Sequence, residues 1–338
     1  MKKSLKVVSI VLALAMVLAL AVGFVSCNKK MENVEKADLR FAAPEGTPAL
    51  AMLTFAADGA QIDGHNVTYA AVAPNNIAAE MSSKSADIVI MPVNAGANLI
   101  RQGADYKLVS IAVSGSLYMV AGDNEGGALT VNDVKGKKVA CIGKTGVPGL
   151  VFRYVMSANG IGMIESGTPS DSQVLVQYVA DGAAARTLLS DNQVDFIVVG
   201  EPAATATKNA LSKTRELDMQ AAYAAANSQN GNTYPQAGLF VRTSLANDNA
   251  FMSDLFAKLA ANKTWVSEHA SEVTAKAKQL YESAVFPAPS VPRCAVDGTL
   301  LGETKKAEII AFLKNVMPKD SNGNAIDWTS VAPTLFVM

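Results

Sequence analysis

Four short stretches of this sequence carry the side chains with chemical potential: Glu45-Gly46-Thr47-Pro48, Pro92-Val93-Asn94, the run Gly143 to Pro148 (GKTGVP) and Gly200-Glu201-Pro202-Ala203. Their chemistry is that of holding a molecule rather than breaking one. Thr47 and Thr145 offer hydroxyls, Asn94 an amide, Lys144 a cation, Glu201 a carboxylate, and Gly46 and Gly146 accessible backbone N–H groups. No nucleophile stands beside a base. The histidines, His65 in IDGHN and His269 in VSEHASE, have no Cys, Asp or second His at metal-ligand spacing. No GxSxG, P-loop or CxxC pair is present. The expectation is therefore no catalytic residue, no metal and no cofactor.

Each candidate has a plainer competing role. Thr47 is suited equally to touching a solute and to capping the helix that follows it, and the Asn94 amide has the same two uses. Lys144 would neutralise an acidic group, against the ordinary state of a solvated loop lysine. Thr145 and Gly146 would bind through hydroxyl and backbone N–H. A cleft-facing Glu201 would ask for a donor on the ligand. Tyr118 and Tyr234 would supply rings to a pocket or simply pack within strands.

The elements that must position these residues repeat. Strand Leu39–Ala43, a turn at Gly46-Thr47-Pro48 and a helix to about Ala57 open one block, which continues with strand Val67–Val72, helix Asn75–Ser83 and strand Asp87–Met91. A second block runs Lys138–Ile142, turn, helix to about Ala158, strand Gln173–Val179, helix Gly182–Ser190 and strand Asp195–Val199. SADIVIMP matches QVDFIVVGEP: in each an aspartate opens an apolar strand and a proline follows its end. Near-continuous apolar strands alternating with helices suit mostly parallel sheets covered on both faces. In such sheets ligands bind beyond the carboxyl ends of the strands, where glycine permits close approach and free helix N–H groups favour an acceptor or anion. Two of the four turns belong to each block and would face one another across a cleft. The β-prone runs Tyr106–Gly122 and Tyr234–Thr243 are the expected crossings between lobes.

Composition narrows the partners. The chain has 338 residues, formal net charge −1 and 6% aromatics, with no long basic run, which argues against nucleic acid. The N-terminus is a targeting segment: Lys2, Lys3 and Lys6 precede an apolar run from Val7 to Val25, broken only by Ser9, that ends in Ser26-Cys27-Asn28. It resembles a bacterial lipoprotein signal in which residues 1–26 are removed and Cys27 is acylated. Phe24 stands where leucine is usual, and the competing reading is an uncleaved membrane anchor. Polar residues to Lys36 form a tether, and the body is expected outside the cytoplasm, held at the membrane by lipid. Cys141 and Cys294 remain, and an inert buried thiol suits Cys141 better than a disulfide.

Taken in order, the strand–turn–helix at Leu39–Leu53, ADIVIMPVNAGANL, VNDVKGKKVACIG and AARTLLSDNQVDFIVVGEPAA resemble type II periplasmic solute-binding proteins of ABC importers, nearest in pattern to the nitrate/taurine/sulfonate and pyrimidine-precursor class. The resemblance spans the chain beyond the signal. It implies a two-lobed α/β clamshell, each lobe a mostly parallel sheet flanked by helices, with two crossover strands. Lobe 1 would comprise 38–117 and 242–338, lobe 2 would comprise 118–241, and 27–37 would be the tether. It also implies a monomer that captures a small polar solute and hands it to a permease with its ATPase subunits. The solute would be a sulfonate or taurine-like anion, another oxyanion, or a pyrimidine-type heterocycle. The acidic-proline pair at Glu201-Pro202 is often present in that class, which implies a structural or hinge contact as the alternative role of Glu201; it is commonly followed there by an aromatic, here replaced by Ala203. An enzyme on the same fold and a non-transport surface lipoprotein are the rival expectations.

Overall fold

The computed structural model describes residues 36–227 and 233–337. The lipoprotein-like segment with Cys27 lies outside the described residues. Among the described residues eleven strands form two sheets: β1 (Leu39–Pro44), β2 (Val67–Val72), β3 (Ile88–Pro92), β4 (Tyr106–Ser114), β5 (Leu117–Ala121), β6 (Lys138–Ile142), β7 (Gly162–Ile164), β8 (Gln173–Val179), β9 (Phe196–Gly200), β10 (Glu216–Asp218) and β11 (Pro235–Arg242). The first sheet runs β2-β1-β3-β11-β4 and the second β10-β5-β9-β6-β8-β7.

The duplication read from sequence is present in the hydrogen bonding. In the first sheet β1 lies parallel between β2 and β3, and in the second β6 lies parallel between β8 and β9. The next strand in each sheet, β11 or β5, is antiparallel to β3 or β9. The paired aspartates have one shared task. The Asp87 backbone N–H donates to the Arg40 carbonyl at 2.8 Å and its carboxylate accepts from the Arg40 N–H at 2.9 Å. Asp195 repeats this with Lys138, at 2.9 and 2.8 Å. Each aspartate thus fixes where two neighbouring parallel strands begin, and so brings their far ends out level.

Alternation along the strands covers both sheet faces. In the first sheet Phe41, Ala43, Ile88 and Ile90 join one core with Phe55, Phe251 and Leu255, while Ala42, Val89 and Met91 point into the other. In the second, Phe196 and Val198 share that latter core, and Ile197 and Val199 pack with Leu189 and Ala204 on the opposite face. The core shared by the two sheets includes Phe312 and Leu313 of the helix Glu303–Val316, and the fully buried Trp328, whose indole N–H donates to the Met317 carbonyl at 2.8 Å.

The run Tyr106–Gly122 is two strands, because Gly115 and Ser116 carry the chain from one sheet to the other. Gly115 N–H donates to the Tyr234 carbonyl at 2.8 Å, and the Ser116 carbonyl accepts from Glu201 N–H at 2.9 Å. The return crossing differs from the expected boundary at 241. β11 is already in the first sheet, with Ala237–Val241 paired to Ile88–Pro92, so the chain is back before Pro235. An antiparallel strand between β3 and β4 is what closes that sheet, and the expected limit cut through it. The strands β2-β1-β3 of the first sheet and β9-β6-β8-β7 of the second run parallel, and each crossing strand enters antiparallel, so both sheets are mixed.

A buried asparagine holds the first turn from behind. The segment after β1 is a 3-10 helix, Thr47–Met52, that passes into an α-helix, Leu53–Ala57. Where one becomes the other, backbone groups lose their regular partners. Asn262, fully buried on the long helix Asn249–Glu268, restores them: its Oδ1 accepts from Thr54 N–H at 2.9 Å and its Nδ2 donates to the Leu50 carbonyl at 2.8 Å. Asn262→Ala leaves the Thr54 N–H without its acceptor, while the Leu50 carbonyl keeps the Leu53 N–H, so a loss of about 1–2 kcal/mol in urea unfolding is expected. A loss within about 0.5 kcal/mol would mean the bonds do not hold the segment.

Candidate functional site

All four turns lie at the carboxyl ends of strands, and they bond to one another across the junction of the sheets. Gly46 adopts φ 93° and ψ −152°, a conformation open essentially to glycine alone. That geometry directs the chain into Thr47 and Pro48, and the Gly46 N–H is held by the Tyr281 hydroxyl at 3.0 Å. Gly46, not Thr47, is the N-cap, which leaves the threonine hydroxyl free of capping. Thr47 Oγ1 instead donates to the carbonyl of Glu201 at 2.6 Å, from a position only 3% exposed.

Asn94 behaves alike. It follows Val93 in the first turn of the helix Val93–Arg101, Pro92 occupies the N-cap without a side-chain bond, and Asn94 Nδ2 donates to the Thr145 carbonyl at 3.1 Å. Its Oδ1 is buried with no donor. The side chains of Thr47 and Asn94 therefore reach from the first lobe to backbone carbonyls of the second. At Thr145 the carbonyl, and not the expected hydroxyl, makes this contact. Gly146 caps the helix Val147–Ala158, while Gly149 in its first turn must lack a side chain, because a Cβ there would lie 2.4 Å from the Gly143 carbonyl oxygen.

Glu201 and Lys144 part company. Lys144 turns outward to Glu165, 2.6 Å away, with both side chains about half exposed. The Glu201 side chain is completely buried. Its oxygens accept from Thr205 N–H at 3.1 Å and Thr205 Oγ1 at 2.9 Å, and it pairs with Arg293 Nε at 2.5 Å. Arg293 forks onto Glu216 as well, at 2.8 and 2.9 Å, and lies 3.9 Å over the Tyr118 ring. Lys208 approaches Glu216 at 2.9 Å, so two cations balance two carboxylates. Tyr118 thus meets a cation of its own chain.

Burial pushes the Glu201 carboxyl up, with Arg293 and Thr205 opposing. For Glu216 burial acts the same way, but hydrogen bonds from Arg293 and Lys208 outweigh it and hold the carboxyl below its ordinary range. Burial also pushes the Tyr118 and Tyr281 hydroxyls and the Cys294 thiol up to about 12. Cys294 lies 3.5 Å from Thr47 Oγ1, and it and Cys141 are both free and buried.

Tyr234 stands apart from the turns. Only 2% exposed, it donates to Gln220 Oε1 at 3.1 Å, stacks on Phe312 with ring centroids 5.7 Å apart, and lines a cavity of about 470 Å³ beside the crossing strands. Among the described residues no group of three His, Cys, Asp or Glu side chains is arranged to hold a metal, and no helix is long and apolar enough to cross a membrane. Sequence reasoning missed Arg293, Glu216 and Tyr281. They lie far along the chain from the turns they touch, and the one local sign was an arginine directly after Pro292 in a proline-broken stretch.

Two outcomes follow from the ion network. Arg293→Met leaves Glu201 buried without its cation and is expected to cost about 3 kcal/mol in urea unfolding at neutral pH. Arg293→Lys should recover only part, because a lysine cannot fork. A variant as stable as the parent would remove the network from any role in joining the lobes. Glu216 ionises more readily folded than unfolded, so its contribution is complete above the ordinary carboxyl value of 4.5 and is lost as pH falls through its lowered folded value. The Tm difference between parent and Glu216→Gln should therefore be largest at neutral pH and shrink on acidification below 4.5. A difference constant across that range would contradict this.

No family model matches the chain, and no curated protein matches it. Solved structures do. An ABC transporter protein from Parabacteroides distasonis is 16% identical with a TM-score of 0.69, covering 90% of this chain and 99% of that one. The alkanesulfonate-binding protein of Xanthomonas axonopodis pv. citri, solved bound to MOPS, is 16% identical with a TM-score of 0.57 over 89% of this chain and 99% of its own. The ligand-binding component of an ABC-type import system from Staphylococcus aureus, solved with zinc bound, is 11% identical with a TM-score of 0.59 over 90% and 97%. The chain has the two-lobed α/β fold of ABC-transporter solute-binding proteins.

Proposed function

We propose that this protein is the extracytoplasmic solute-binding lipoprotein of an ABC importer, anchored through Cys27, which closes on a small polar solute and presents it to a permease. The observation that carries the reading is the pair of direct bonds between duplicated turns, Thr47 to Glu201 and Asn94 to Thr145. Groups that bond across a junction of lobes through hydroxyl, amide and carbonyl can exchange those bonds for a solute when the lobes part. The fold shared with transporter binding proteins supports the same reading.

Closure follows from contacts available only when both lobes are near. The site residues in this reading are Gly46, Thr47, Pro48, Val93, Asn94, Thr145, Gly146 and Glu201, with Tyr118 and Arg293 forming one wall. Because Glu201 is already neutralised and Lys144 faces outward, recognition within the turns rests on neutral donors and acceptors.

A thermal-shift screen of the mature chain against sulfonates, other oxyanions, amino acids and pyrimidines should find a ligand. At one hundred times its Kd it stabilises by about 2.7 kcal/mol, and the scattering radius falls as the lobes close. Thr47→Val removes the hydroxyl that the solute would take over from the Glu201 carbonyl, a bond worth about 1 kcal/mol, and should weaken binding about fivefold. A screen without a stabilising ligand, or one whose ligand is turned over, would overturn the reading. Intact-mass measurement of membrane-extracted protein lacking an acyl chain would overturn the anchor alone.

A further inference from the structure

With β11 the chain has returned to the first sheet, but it meets the second lobe once more. Past residue 295 it runs along the edge of the first sheet. Val296 and Leu300 bridge to Val113 and Ser110 of β4, and Asp297 N–H donates to the Ala112 carbonyl at 2.9 Å. The helix Glu303–Val316 then leaves that edge and packs on the helix Val147–Ala158 of the second lobe. In its last turn Asn315 Nδ2 donates to Asn227 Oδ1 at 2.7 Å and to the Tyr223 hydroxyl at 3.2 Å, and the Tyr154 hydroxyl donates to the same Asn227 oxygen at 2.6 Å. The helix Trp328–Leu335 carries the chain back. It packs on the helix Val93–Arg101 of the first lobe, Lys107 Nζ donates to the Thr334 carbonyl at 2.8 Å, and Phe336 bridges to Leu108.

Between these two anchors there is no slack. The Trp328 indole bond to the Met317 carbonyl joins the end of one helix to the start of the next. The residues between them fold on themselves as a hairpin. Ile326 N–H donates to the Pro318 carbonyl at 2.9 Å, Lys319 pairs with Ala325, and Asp320 Oδ1 accepts from the N–H groups of Asn322 and Asn324 at 2.9 Å. This hairpin lies across the junction beside the Asn94–Thr145 contact. Lys319 and Asp320 border a space of about 450 Å³ together with Asn94 and Arg101 of the first lobe and Thr145 and Arg153 of the second. Asp320 faces the Arg101 guanidinium.

We propose that residues 303–337 are a strap that latches the closed lobes from outside the cleft, fastened to the second lobe at Asn315 and to the first at Lys107 and Phe336. This rests on the reading of the lobes as parts that open and close, and adds a control remote from the solute contacts. Because the hairpin joins the two anchors without slack, the lobes part only when one anchor lets go. The strap thereby sets the ratio of open to closed molecules without touching the solute.

Two native thiols report on this. Cys294 is buried at the junction, 3.5 Å from Thr47 Oγ1, and Cys141 is buried within β6. Alkylation of the mature chain by iodoacetamide, mapped by peptide mass, therefore reads lobe opening at Cys294 and global unfolding at Cys141. In the parent, Cys294 should react faster than Cys141. Asn315→Leu and Lys107→Met each weaken one anchor. One lost hydrogen bond makes release at that anchor about fivefold easier while the other is unchanged, so each variant should speed Cys294 about threefold when the anchors are of equal strength. Release at either anchor suffices, so the gains add: the double variant should react about fivefold faster, not the about ninefold expected of independent contacts. Cys141 should keep the parent rate throughout, and Asn315→Ala replaces the leucine variant if it does not. If Cys294 outruns Cys141 but the variants match the parent, only one of them acts, or their effects multiply, the strap is overturned while the solute-binding reading stands. If Cys294 never outruns Cys141, the lobes do not part short of unfolding, and the strap falls together with lobe opening.

Discussion

A carboxylate with no exposed side-chain surface sits where the two sheets meet, and a charge so placed must be answered from within the chain. At Glu201 the answer comes in two parts. Thr205, in the first turn of the helix Ala203–Leu211 that follows it, supplies hydrogen bonds from within the lobe, and Arg293 supplies a positive charge from the other lobe. The first part keeps the carboxylate in place; the second makes the lobes mutually dependent. Arg293 is stacked on Tyr118 and forked onto Glu216, so its plane is fixed before it reaches Glu201. The pairing therefore sets an orientation between lobes as well as a charge balance.

Around this pair the two halves of the duplication carry unequal burdens. Side chains of the first lobe, Thr47 and Asn94, do the reaching; the second lobe receives them on main-chain oxygens at Glu201 and Thr145. A carbonyl oxygen is the same whatever residue bears it, so the receiving side tolerates sequence change while the reaching side does not. The turns meet at one level because Asp87 and Asp195 fix the starts of the parallel strands at the opposite edge. Levelling is thus exerted a full strand length away from its effect.

Much of the fold was legible because it rests on local grammar. Strand alternation, turn residues and the repeated aspartate–strand–proline pattern placed the β1/β6, β2/β8 and β3/β9 correspondences close to their observed limits. The four turns were legible for the same reason. What could not be read was which way a side chain faces across a junction. Thr47 suited capping and solute contact equally, and only the tertiary structure shows that Gly46 does the capping and that the hydroxyl crosses to Glu201. Glu201 could be read as a structural contact or as facing a ligand, and the arginine it pairs with lies 92 positions later in the chain. Asn262 shows no local signature either, since an asparagine within a helix has no marker for the backbone gap it fills on another segment. The limit of the second lobe was misplaced because β11 reads as an ordinary strand, and strands do not announce which sheet they join.

The position of Arg293 in the sequence gives the molecule a direction in time. Glu201 and Glu216 lie before it, and the second sheet, β5 to β10, is continuous in the chain and complete before Arg293 emerges. Because a polypeptide is made N-terminus first, every strand of that sheet exists before the cation that its two carboxylates share. The first sheet likewise waits for β11. The last third of the chain is therefore the step that commits both lobes at once, and a chain halted ahead of residue 293 would hold a finished sheet with an unanswered charge at its edge.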